Sequence, residues 1–472
     1  MSRYPVYPTY KPTSIDWLGD IPEHWKARRL RNMVDFISRG ETPNYVDHSN
    51  KKVVNQATFS KGYWDESSIR YTDKIVSRGV VNQFDVLLAS TGGGVLGKTF
   101  LFEQYHPNFL YVADSHVTLI RDSKGRVDQR FIYYFLSINF SLIEVTIGQG
   151  ATNQTEIQSR FLKNLKLPSP PLPEQTHIAN FLDHKCRLID KFLDKKQQLI
   201  EVLKEQKQAI INQAVTRGLD PNVKMKDSGV AWLGKIPAHW EVKKLKFITK
   251  KIGSGVTPKG GASVYTNDGI PLLRSQNIHF DRIDLSDVAR INPSVHNSMK
   301  GSKVKENDVL LNITGGSIGR CFFVTDTLGE ANVNQHVCII RPTNHIITKY
   351  LYLVLSSNVG QKQVWFYQYG GGREGLNFQN LKNFDLALPP LDEQEAIINN
   401  IDTETSQIEQ AISRIEKEME LIKDYRQILI SEAVTGKIDV RNWRSNEESE
   451  DQISMAAEPA ADYQVKRNGI DA

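Results

Sequence analysis

The sequence predicts two α/β (α+β) globular domains separated by two long coiled-coil helices, the whole forming a pseudo-twofold internal repeat. Three observations predict it. PLPEQ at Pro171–Gln175 and PLDEQ at Pro390–Gln394 each open a long charged stretch, and QAVTRGLD (Gln213–Asp220) and EAVTGKID (Glu432–Asp439) close the two at equal length. Within the second stretch Ile401, Ile408, Ile415, Ile422 and Leu429 recur every seven positions; the first carries Leu182, Ile189, Lys196, Leu203 and Ile210 at the matching places. A sustained heptad with charge outside it marks a helix–helix seam. Finally, what precedes each stretch also occurs twice, and such self-similarity decides the architecture before any local signal does.

In chain order, residues 1–14 form an N-terminal arm and residues 15–170 the first globular domain. WLGDIPEHWKARRL (17–30) opens it and returns as WLGKIPAHWEVKKL (232–245). Each copy leads to a Gly-x-Thr-Pro turn at Gly40–Pro43 and Gly255–Pro258. Next come FDVLLASTGGGVLGK (Phe84–Lys98) and NDVLLNITGGSIGR (Asn307–Arg320), then SHVTLIR (Ser115–Arg121) and QHVCIIR (Gln335–Arg341). Their β-branched runs bounded by glycine read as strands. FIYYFLSIN (131–139) and YLYLVLSSN (350–358) read as helices. The first long helix follows at 171–218, opened by proline with an acid in its first turn and closed on Gly218, as helix-end chemistry favours. A linker (219–231), the second domain (232–389) and the second long helix (390–436) complete the repeat. Forty-odd residues at about 1.5 Å each give a rod of roughly 60–65 Å, more than a small domain's width. Residues 44–80 and 259–303 barely resemble one another, as expected of a common frame carrying two different inserts.

A chain of 472 residues is long enough for two cores of its own. Mean hydropathy is −0.41, no apolar run is long enough to span a bilayer, and the first residues lack a signal peptide's apolar segment. Cys186, Cys321 and Cys338 form no C-x-x-C and no repeated pair, which speaks against a disulfide framework or structural zinc and for a reducing cytoplasm. Net charge is +5, but residues 445–472 hold seven acids against two bases, leaving +10 for residues 1–444. That excess suits a polyanionic partner. The span 437–472 is expected to be a polar, acidic, disordered tail.

Several motifs fail on context. GGGVLGKT (Gly92–Thr99) matches a phosphate-binding loop, yet such a loop needs a helix after it. Here a proline and β-type runs follow, and the second copy, GGSIGRC (Gly315–Cys321), loses the match. A P-loop NTPase is nonetheless the enzyme class to weigh. Ser169-Pro170-Pro171-Leu172 lacks the aromatic a base-flipping methyltransferase would stack on its target. No cofactor loop, H-E-x-x-H or nucleophile elbow is present, so neither catalytic, cofactor nor metal residues are expected. His24/His239 and His116/His336, beside Trp or Val, read as packing residues, and Trp17, Trp25, Trp232 and Trp240 as core anchors. DNA-contact candidates lie in polar loops: Asn55, Gln56, Lys61 and Lys98, with Gln149 and Asn153, in the first domain; Arg274, Gln276, Asn277 and Arg320, with Arg373 and Asn377, in the second. Arg with guanine and Asn or Gln with adenine are the pairings that major-groove geometry favours.

Taken together, WLGxIPxHW, the DVLLxxTGG turn, PLPEQ/PLDEQ and QAVT/EAVT, each twice in one order, resemble the specificity (S) subunits of type I restriction–modification systems over residues 15–440. The resemblance implies two target recognition domains, each reading half of a bipartite DNA site, and two antiparallel helices that set the spacer. It further implies two methyltransferase (M) subunits docked along the helices and motor-nuclease (R) subunits joining them, directing adenine methylation and restriction in a bacterial or archaeal cytoplasm. S-adenosylmethionine, ATP and magnesium would sit on those partners, leaving this chain non-catalytic. A coiled-coil scaffold without a DNA role is the remaining alternative; the charge outside the tail speaks against it.

Overall fold

The structure is a computed structural model that describes residues 4–76, 78–92, 94–138, 156–368 and 375–445. The chain forms two compact units, residues 1–197 with 416–472, and residues 198–415.

In the first unit a four-stranded antiparallel sheet runs Phe36–Arg39, Val117–Arg121, Val86–Ala89, Thr99–Leu101. A second sheet runs Leu110–Ala113, Lys51–Val54, Arg70–Thr72, Tyr45–Val46; its first pair is parallel. Val86–Ala89 is buried at every position, as a strand covered on both faces must be. The second unit repeats both orders. One sheet is Thr249–Ser254, Val337–Pro342, Val309–Asn312, Cys321–Phe323; the other is Asn332–Val333, Ile270–Leu273, Ala289–Ile291, Tyr265–Thr266, again with its first pair parallel. The inserts 44–80 and 259–303, so unlike in sequence, therefore fold with one strand order.

Buried charge pairs pin each frame. Asp85, fully buried, accepts two bonds from Arg121 (2.6 and 2.5 Å), and Asp308 accepts two from Arg341 (2.7 and 2.8 Å). Such forked pairs fix orientation as well as energy. Gly40 and Gly255 are required by close approach: a Cβ there would lie 1.9 Å from the Ala113 carbonyl oxygen or 1.7 Å from that of Val333.

The long helices are Leu172–Arg217 and Leu391–Thr435. In the first unit Asp190 pairs with Arg426 and Lys196 with Glu418. The partner number falls as the first rises, so these stretches run antiparallel. Leu182, Ile189, Ile422 and Leu429 are buried here, and Ile189 meets Ile422 in a small apolar cluster of its own. In the second unit Lys207 pairs with Glu409 at 2.5 Å, and Ile401, Ile408 and Ile415 are buried. Leu203 and Ile210 are only half-buried, their neighbours Ile200 and Ile211 taking the buried positions. Lys196, the polar break in the heptad, bonds Glu418 and lies 5.1 Å from the Phe192 ring centroid.

Three expected boundaries move. Residues 219–231 are more than a linker, since Met225–Asp227 pairs with Lys235–Pro237 as Tyr10–Pro12 pairs with Asp20–Pro22. The arm also packs, with Tyr7 buried. Residues 437–445 are not free tail: Ile438 and Val440 join the first unit's core, and the Asp439 amide donates to the Pro5 carbonyl at 2.7 Å. The rest of the expected tail, residues 446–472, lies outside the described residues.

Candidate nucleic-acid interface

Each unit carries a polar clamp at the start of its long helix. In the first, Glu174 is 7% exposed and accepts from the Tyr7 hydroxyl (2.7 Å) and the Trp25 indole (3.0 Å), with His24 Nε2 at 2.8 Å. Burial, then Glu174, pushes the Tyr7 hydroxyl's pKa well above its ordinary value. In the second unit Glu393 pairs with His239 at 2.8 Å, and the buried Trp240 indole nitrogen has no partner among the described residues. The glutamines that follow tie backbone together. Gln175 accepts from the Asp128 amide and donates to the Pro170 carbonyl, while Gln394 accepts from the Ile347 amide and donates to the Pro389 carbonyl. The E-Q pair is thus a joint between helix and domain. His24 and His239 are outward hydrogen-bonding rings, not the packing residues expected, because the carboxylate at each helix start captures them, Glu174 buried and Glu393 only half-buried.

The glycine turn stands at the opposite sequence landmark. Gly92–Thr99 joins two antiparallel strands, Val86–Ala89 and Thr99–Leu101, and no helix follows. The nucleotide-binding alternative fails on that geometry. Beside the turn Thr91 Oγ1 lies 2.6 Å from His116 Nδ1, and Thr314 Oγ1 lies 2.6 Å from His336 Nδ1. Of these histidines His116 is exposed and His336 half-buried, each hydrogen-bonded through its ring to a threonine. Lys98 is exposed and Arg320 half-buried at the turn's exit.

The remaining candidates divide. Asn55 caps a single helical turn, accepting from the Thr58 amide and donating to the Ser68 carbonyl. Gln56 donates to the carbonyl and hydroxyl of Thr91. Asn277 is a correction: it is buried, and its side chain bonds the Arg274 amide and the Asp284 carbonyl, leaving nothing to offer a base. Arg274 donates to the Asp287 carbonyl and Gln276 to the Asp287 carboxylate at 2.7 Å, so an acidic loop covers both. Lys61 is exposed and paired with Asp65 at 2.7 Å. Asn377 is exposed and caps a short helix through the Asn380 amide. Gln149, Asn153 and Arg373 lie outside the described residues. Sequence reasoning missed a cleft of about 460 Å³ lined by Tyr45, Asn55, Ala57, Ser67, Ser68 and Arg70, where the Arg70 guanidinium stands 5.1 Å from the Tyr45 ring centroid. Two aromatic-basic neighbours separated by 25 positions give no local signal.

Among the described residues no group of three or more His, Cys, Asp or Glu could hold a metal, and no helix is long and apolar enough to cross a membrane. Two units with one strand order and divergent inserts define a duplicated frame. The chain belongs to the family described as the type I restriction modification DNA specificity domain, which matches residues 22–205 and 237–417. It is a specificity chain, the DNA-recognition component of its system and not itself an enzyme. It is 25% identical over 451 residues to a putative type I restriction enzyme specificity subunit, MjaX, of Methanocaldococcus jannaschii, covering 92% of this chain and 97% of that one. It is 28% identical over 358 residues to the EcoBI specificity subunit of Escherichia coli, covering 74% and 73%. A solved structure from work on assembly and conformational transition of the type I R-M system superposes with a TM-score of 0.63 at 16% identity. It covers 88% of this chain and 98% of that one, and shares its fold.

Proposed function

We propose that each unit reads one half of a bipartite DNA site, and that the two long helices, paired as an antiparallel coiled coil, fix the spacer between the halves. In this reading the helices also dock two methyltransferase (M) subunits, and motor-nuclease (R) subunits join them in a bacterial or archaeal cytoplasm. Adenine methylation and restriction are then the partners' chemistry, directed by this chain. The observation that carries it is one strand order and one set of buried pins supporting two inserts with different surfaces. A shared frame suits like partners, and different inserts suit unlike half-sites. Arg70 with Tyr45, and Lys61, are the exposed groups best placed in the first insert; Arg274 and Gln276 would serve the second once Asp287 moves aside.

Single-molecule methylation mapping tests it, in cells making this chain with a methyltransferase subunit against cells lacking the chain. A new split motif carrying N6-methyladenine in both halves is expected. A stable complex with no motif and no DNA binding would leave a scaffold instead.

A further inference from the structure

We propose that the threonine–histidine pair at the glycine turn, with the basic residue at its exit, grips the DNA sugar–phosphate backbone once in each unit. The groups are Thr91, His116 and Lys98 in the first unit, and Thr314, His336 and Arg320 in the second. This rests on the DNA-recognition reading above and assigns a ligand class to one part of it.

The internal repeat supplies the comparison. Groups that read bases must differ between domains that read unlike half-sites, whereas groups that hold phosphates need not, since the backbone is the same whatever the sequence. Around this turn the substitutions fall on the wrong side for a purely structural element. The buried neighbours changed, Ala89 becoming Asn312 and the buried Ser90 becoming Ile313, and the adjoining cap changed from Asn55-Gln56 to Arg274-Ser275. The threonine–histidine pair, half-buried apart from the exposed His116, did not change, and neither did its 2.6 Å bond.

Its chemistry suits an anion. Thr257 donates to Gln335 Oε1, which turns the Gln335 amide nitrogen to His336 Nε2 at 2.8 Å. Accepting there places the ring proton on Nδ1, where it donates to Thr314 Oγ1 and leaves the Thr314 hydroxyl proton free to point outward. In the first unit Gln56 donates to Thr91 Oγ1. With the Thr91 hydroxyl then donating to His116 Nδ1, the exposed Nε2–H of His116 becomes the outward donor. Each unit therefore presents one oriented donor beside one cation, and Lys98 and Arg320 have no ion-pair partner among the described residues. The turn itself is open. A Cβ at Gly94, Gly315 or Gly316 would meet nothing within 4 Å, and Gly316 has no positive φ to require glycine. Glycine without either need suits close approach of a ligand to the backbone.

The test uses the full-length chain and fluorescence anisotropy on a random-sequence duplex across a salt series, with methylation mapping alongside. Lys98→Gln alters an exposed side chain and Arg320→Gln a half-buried one, and thermal melting by circular dichroism checks that each stays folded. Each is expected to lower the slope of log K against log salt by about 0.9, and the double variant by twice that, with the methylated motif unchanged. His116→Ala and Thr314→Ala, which remove the outward donor of the first and the second unit, are expected to weaken binding about tenfold on every duplex alike. Unchanged slopes and affinities in variants of a wild type that binds, or a motif altered in one half only, would overturn the proposal. A wild type that binds no duplex overturns the recognition reading itself.

Discussion

The two copies of the helix-start clamp offer a controlled comparison within one molecule. Glu174→Ala removes a nearly buried carboxylate that holds three donors. It leaves the buried Tyr7 hydroxyl and Trp25 indole without an acceptor, at about 1–3 kcal/mol each, and also loses the His24 contact. The sum is roughly 2–6 kcal/mol, a range that contains the roughly 3–5 kcal/mol of breaking a buried charged pair. Glu393→Ala removes one contact, to a His239 side chain that is 47% exposed and that water can serve instead. Exposed pairs of that kind contribute less than about 1 kcal/mol. Hydrogen–deuterium exchange of peptides 17–30 and 232–245 in the respective variants reads each site locally. The expected result is a large loss of protection in 17–30 for Glu174→Ala and a small one in 232–245 for Glu393→Ala. Equal losses would refute the argument that the number of donors on the carboxylate decides its worth.

Two further outcomes follow from the backbone and the thiols. Phe84 holds a φ of 66° where its counterpart Asn307 holds 67°; left-handed backbone costs such a side chain about 1–2 kcal/mol. Phe84 is also 45% exposed, so Phe84→Gly should raise the urea midpoint, and a lowered midpoint would show its ring matters more than its strain. Burial pushes the Cys338 thiol up to about 12 and raises those of Cys321 and Cys186 as well. A raised folded pKa contributes stability that is complete below the ordinary thiol range and is lost as pH rises through about 12. At pH 8 an aromatic disulfide reagent should therefore label none of the three until the chain unfolds; stoichiometric labelling of the native protein would contradict this.

What the sequence disclosed was whatever the fold pins with unusual residue types. Asp85 and Asp308, held by Arg121 and Arg341, and Gln175 and Gln394 at the helix starts are buried polar groups, and their recurrence in both copies exposes the repeat. The heptad was legible for the same reason, and it misplaced burial at Leu203 and Ile210 where Ile200 and Ile211 lie nearer the interior. The shared strand order of the inserts was hidden. Its strands are two to four residues long, and KKVV (51–54) and IPLL (270–273) have no side chain in common at matched positions. The polar strand Met225–Asp227 passed for a linker because three residues carry no period. Surface roles were the least visible. Asn277 looked like a base reader and is a buried cap, while the histidines looked like core and are not, since side-chain type alone does not say which way a loop residue points.

The ruler is tested most directly by removing one heptad from each long helix, residues 194–200 and 415–421, and mapping the methylated motif in cells. Seven residues at 1.5 Å shorten each rod by about 10.5 Å, close to three base pairs at about 3.4 Å each. The expected motif keeps both half-sites with a spacer about three base pairs shorter. An unchanged spacer in an active complex would show that the helices do not set the distance.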